Sequence, residues 1–102
     1  MQSYPVWTWG GEPFGYFDGE YLWTHDGKNV GRLRSQFIYA PDGSYLGEIR
    51  SGNRLLTSIA RKSTCSLTFK PKPDRPAVER RESIAGSGMY IGYEDFPSPS
   101  AF

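Results

Sequence analysis

The sequence predicts an all-β fold of about four short β-hairpins repeating every sixteen residues, followed by an extended basic arm that contains prolines. Three observations carry the prediction. Two sets of glycines keep a fixed spacing of sixteen: Gly11, Gly27 and Gly43 in one, Gly15, Gly31 and Gly47 in the other. The composition is 16% aromatic against 37% hydrophobic in all, with 12 Gly and 8 Pro, a mixture suited to short strands and turns. No apolar stripe of helical period survives the glycines of residues 1 to 56. At 102 residues the chain is long enough for one small domain and too short for two.

The repeat extends beyond the glycines. Val6, Leu22 and Ile38 share one column, and Trp7, Trp23 and Tyr39 the next. Phe14, Val30 and Leu46 precede the second glycine of each copy, while Phe17, Leu33 and Ile49 follow it by two. Self-similarity at a fixed period signals supersecondary units that bury a shared core. In the first copy the turn is Gly10-Gly11 and the returning strand runs from about Phe14 to Asp18. In the second, Tyr-Leu-Trp-Thr at 21–24 leads into Asp26-Gly27 and returns from Asn29 to Arg34. In the third, Phe-Ile-Tyr-Ala at 37–40 leads into Asp42-Gly43 and returns from Tyr45 to Arg50. The Asp-Gly dipeptides predict type I′ turns, whose two central residues both need positive φ. Eleven of the sixteen aromatics fall in residues 1 to 49. A buried ring covers about 150–250 Å², so the core belongs there.

A fourth copy has two candidates. One spans 53–68: Leu55 falls in the column of Trp7, Trp23 and Tyr39, but Ile59 and Ser63 occupy the glycine positions. The other lies in 84–96, where Gly88-Met-Tyr-Ile-Gly92-Tyr93 repeats the spacing of Gly27 to Gly31. The inner glycines Gly15, Gly31 and Gly47 sit inside strands, where glycine weakens pairing unless something approaches closely or the strand bulges. Two accounts fit: hairpins that meet around a common axis where only a missing Cβ fits, or a bulge in each hairpin. Either makes these glycines structural.

Composition changes after about Ser58, dividing the chain into a hairpin domain (1–58), a basic, proline-containing arm or linker (59–82) and an aromatic-acidic end (83–102). Residues 61 to 81 carry Arg61, Lys62, Lys70, Lys72, Arg75, Arg80 and Arg81 against Asp74 and Glu79. Lys70-Pro-Lys-Pro-Asp-Arg-Pro76 favours extended polyproline II backbone, because proline fixes φ and donates no hydrogen bond. In the end segment, Tyr93 and Phe96 flank Glu94 and Asp95 and read as a short docking motif onto the hairpins.

Residues 5 to 58 resemble the 4-fold β-flower family of small, mostly bacterial proteins. The segments that carry the resemblance are Gly11 to Gly15, Gly27 to Gly31 and Gly43 to Gly47, with Trp23 and Tyr39 before the turns. The arm and the ending from Gly92 to Pro97 are similar to that family's tails. The resemblance implies four hairpins around a pseudo-fourfold axis and no activity or site residues.

Function is less legible than form. The start, Met-Gln-Ser-Tyr-Pro-Val-Trp, has none of the parts of an export signal, and nothing approaches the roughly 20 apolar residues that span a bilayer, so a cytoplasmic protein without membrane contact is expected. One Cys and one His exclude disulfide scaffolds and Cys/His zinc sites, and no metal or cofactor is expected. His25 flanks a turn, Cys65 has no partner in sequence, and Asp26 and Asp42 are explained by their turns. Ser87 lacks the strand–helix context of a nucleophile elbow. The reading is therefore a non-catalytic interaction or scaffold module, its tail engaging its own domain or a partner protein. The alternatives are sequence-independent nucleic-acid binding through the arm's seven cations, and small-ligand binding by the repeated aromatics. Net charge of +1 supplies no whole-molecule field for a polyanion.

Overall fold

Seven strands close into a barrel, and an eighth lies along its seam. The computed structural model describes residues 3–50, 53–66, 68–86 and 88–102. The strands are β1 (Ser3–Thr8), β2 (Pro13–Asp18), β3 (Tyr21–Thr24), β4 (Asn29–Arg34), β5 (Phe37–Tyr39), β6 (Tyr45–Arg50), β7 (Arg54–Ser58) and β8 (Tyr93–Asp95). Each pairs antiparallel with the next. Seven strands in an up-and-down order leave the first and last pointing the same way, so closure has to be parallel. It is: Trp7 pairs with Arg54 and Thr8 with Leu55. No described helix is long and apolar enough to cross a membrane; among the described residues the helical pieces are single 3₁₀ turns at Ile59–Arg61 and Pro99–Ala101.

The three turns repeat one hydrogen-bond pattern. The amides of Gly11, Gly27 and Gly43 donate to Thr8, Thr24 and Ala40, while the amides of those three residues donate to Glu12, Lys28 and Ser44. This pattern corrects the expected turn type. Gly27 and Gly43 lie at φ 91° and 89°, but neither Asp26 nor Asp42 has positive φ. The loops are three-residue turns whose last member is a left-handed glycine, not two-residue type I′ turns. The aspartate instead takes the preceding position, where Asp42 accepts hydrogen bonds from the Ser44 amide and hydroxyl at 2.9 and 2.7 Å.

The inner glycines answer to the bulge account; they are crowded as well, but by adjoining strands and not around a common axis. Val6 pairs with Gly15 but Trp7 with Pro13, so Phe14 is an extra residue; Val30 and Leu46 are extra in the same place in the next two hairpins. The bulge lets Phe14 and Phe17, three apart, both reach the core, which strict alternation forbids. The glycine that follows is also crowded. A Cβ on Gly31 would lie 2.9 Å from Ile38 Cγ2 and 3.4 Å from the Tyr39 carbonyl oxygen, and one on Gly47 2.5 Å from the Leu56 oxygen. One on Gly15 would run into the Trp23 carbonyl. In each case a close neighbour lies on the adjoining strand, β3, β5 or β7, and not on the other glycines; Gly47 also abuts the Phe96 ring.

Val6, Phe14, Phe17, Leu22, Val30, Ile38, Leu55 and Phe96 form the core. Both candidate regions for a further hairpin contribute a strand. β7 comes from the first and β8 from the second, paired antiparallel as Leu56–Asp95, Thr57–Glu94 and Ser58–Tyr93. β7 pairs with β6 on one side. Its other edge carries β1 over Arg54 and Leu55 and then β8 from Leu56 onward.

Candidate functional site

Hairpin turns ordinarily stand in solvent. Here Gly11, Gly27 and Gly43 are buried, because the tail runs across all three turns. The amides of Ser66, Arg75 and Ile84 donate to the carbonyls of Gly43, Gly27 and Gly11 at 2.8, 2.8 and 2.9 Å. The donors are nine residues apart and the acceptors sixteen, taken in reverse order. A second pair keeps the same steps: Phe69 to Pro41 at 3.0 Å and Val78 to His25 at 2.8 Å. The tail's corresponding third position is Ser87, which lies outside the described residues. A Cβ on Gly27 or Gly11 would strike the carbonyl of Arg75 or Ile84, so these glycines admit the tail as well as making the turn.

The arm's cations are mostly engaged with the barrel. Arg75 Cζ lies 3.9 Å from the Trp23 ring centre while its Nη1 donates to Asp18 Oδ2 at 2.8 Å. Lys72 Nζ is 4.6 Å from the Tyr21 ring centre, and its amide donates to Asn29 Oδ1 at 3.1 Å. Arg61 sits 4.2 Å over Phe37, Lys62 pairs with Glu94, and Arg80 Nη2 is 3.2 Å from Glu12 Oε2. Lys70 and Arg81 are exposed and form no ion pair among the described residues. Two of the column of large aromatics meet the tail too. Trp7 Nε1 donates to the Glu82 carbonyl at 3.0 Å, and Trp23 lies under Arg75, its Nε1 without a partner among the described residues, whereas Tyr39 packs edge-on against Tyr45 of the barrel at 6.1 Å.

The end segment is built into the barrel. Phe96 is 3% exposed and meets Phe14 edge-on at 5.3 Å, with Phe102 alongside. Tyr93 accepts a hydrogen bond from Arg50 Nη2 at 3.0 Å, and Arg50 in turn holds the buried Glu48 carboxylate at 3.3 Å. The residue sequence reasoning missed is Asp95. Its carboxylate accepts from the amides of Trp9 at 2.8 Å, Gly10 at 3.0 Å and Phe96 at 2.8 Å, joining β8 to the first turn. One signal for it was present: the first copy has Gly10 where the others have Asp26 and Asp42.

Between the first hairpin and the tail lies a cavity of about 270 Å³, walled by Tyr4, Val6 and Tyr16 on the barrel side, His25 at the next turn, and Val78 to Arg81. Burial pushes the Tyr4 phenol above its ordinary value. His25 Nδ1 is 3.3 Å from Asp26 Oδ1. Among the described residues no three His, Cys, Asp or Glu side chains gather as metal ligands. Comparison with protein-family models, curated proteins and solved structures gives no match.

Proposed function

We propose that the chain is a non-catalytic interaction or scaffold module of the β-flower type, whose tail is the ligand of its own barrel. In this reading β7 and β8 are the fourth hairpin of a pseudo-fourfold flower, and residues 59–92 are a long insertion in its turn. The observation that carries it is the register of Ser66, Arg75 and Ile84 on the carbonyls of Gly43, Gly27 and Gly11. Main-chain bonds give such an interaction its affinity and side-chain seats, here Trp23 for Arg75, give it register. The tail presents Met89, Tyr90 and Ile91, exposed as Ile59 is, which is the apolar surface a protein partner would meet.

Amide hydrogen exchange on the full chain tests the reading. The amides of Ser66, Arg75 and Ile84 should be protected to a degree comparable with strand amides such as that of Leu22. Unprotected exchange throughout 66–92 would refute a docked tail. The nucleic-acid reading draws on the same cations, and five of the seven are already engaged. A mobility-shift titration at low salt separates the two, since phosphate tracking is strongest there.

A further inference from the structure

We propose that the cavity between the first hairpin and the tail binds a small single-ring aromatic carboxylate. The argument is an internal comparison. On the second hairpin the tail's Phe69 packs edge-on against Tyr21, ring centres 5.9 Å apart, with Lys72 Nζ 4.6 Å from the same ring centre. Sixteen residues back along the barrel Tyr21 becomes Pro5, and nine residues on along the tail Phe69 becomes Val78. The backbone keeps the two places in the same relation, since Phe69 donates to Pro41 and Val78 to His25. Two rings are therefore missing, and the space of about 270 Å³ has both Pro5 and Val78 in its wall. An apolar cavity of roughly 150 Å³ takes a benzene ring. One ring fits here with room for a charged substituent.

The wall selects the substituent. Arg80 and Arg81 line the cavity against the single acidic residue Glu79, as do Tyr4 and Tyr16, residues whose phenols can donate hydrogen bonds. Arg80 is engaged by Glu12 at 3.2 Å, which leaves Arg81 as the cation with no carboxylate partner among the described residues. Guanidinium favours a planar carboxylate. The site rests on the docked tail, because residues 78–81 form one of its walls.

Titration of the isotope-labelled full chain with benzoate, followed residue by residue in amide spectra, tests the site. Saturable shifts confined to Tyr16 and Val78 to Arg81 are expected at millimolar benzoate, with benzylamine at least about tenfold weaker. Arg81→Gln should weaken benzoate about tenfold through loss of a charge-assisted hydrogen bond. Val78→Phe, which restores the ring the second hairpin uses, should abolish binding while the Arg75 and Ile84 amides stay protected. The site is refuted if those amides are protected and benzoate produces no saturable shift, or if benzylamine does as well. Binding indifferent to both substitutions refutes it equally. Unprotected Arg75 and Ile84 amides in the free protein would instead overturn the docked tail, and the site with it.

Discussion

Gly10 is where the sixteen-residue pattern gives way to the tail. An aspartate there would match its counterparts Asp26 and Asp42, but its Cβ would stand 2.7 Å from Asp95 Oδ2. That oxygen cannot swing away freely, because the carboxylate is fixed by three backbone amides. The glycine is thus explained by a residue 85 positions away. Gly10→Asp should destabilise the protein by about 1–3 kcal/mol in chemical denaturation, through overpacking and the approach of two carboxylates. The same substitution made with Asp95→Ala should cost clearly less. An equal cost in both backgrounds would assign the effect to the turn itself and not to Asp95.

Among the elements, β6 and β7 are joined by more than their ladder. The Tyr45 hydroxyl accepts the buried Ser58 amide at 3.0 Å, and burial, opposed by that hydrogen bond, holds the phenol above its ordinary 10.0. A raised folded-state value means that the folded chain keeps its proton where the unfolded chain has lost it. Tyr45 therefore favours the fold fully below about pH 10, and that contribution is lost as pH rises from there through the folded value. Urea midpoints measured across this range should fall with pH, and fall less in Tyr45→Phe. At neutral pH the variant should be weaker by about 1 kcal/mol, for the hydrogen bond. Tyr4 shifts in the same direction, so some alkaline loss persists. A variant with the parent's full pH slope would remove Tyr45 as its source. The strands themselves were legible because alternation and bulge both leave side-chain marks, the second as the Phe14, Val30 and Leu46 column. The parallel seam was not: it consists of two residue pairs, Trp7–Arg54 and Thr8–Leu55, which no local pattern announces.

For the whole molecule the tail covers the turns of a barrel that closes without it and adds Phe96 to the core, and it was the least legible part. Its nine-residue register is made by backbone amides, so Ser66, Arg75 and Ile84 share a role without sharing any chemistry. Only the glycines beneath it recur, and a turn already accounts for them. The docked tail is held at its far end by Phe96, inserted between Phe14 and Gly47, and midway by Arg75 on Trp23. If it docks as one unit, release at one anchor weakens the other although the two share no contact. Phe96→Ala should cost about 3–5 kcal/mol as a buried ring removed. Arg75→Ala should cost about 1–2 kcal/mol, mostly from stacking, since its ion pair with Asp18 is more than a third exposed. Distant, independent sites add to within about 0.5 kcal/mol. In a double-mutant cycle the Arg75→Ala cost should shrink well beyond that margin once Phe96 is gone, because the strap has already lifted. Strict additivity would mean that the strap and the core plug hold separately, and that the tail is two attachments and not one ligand.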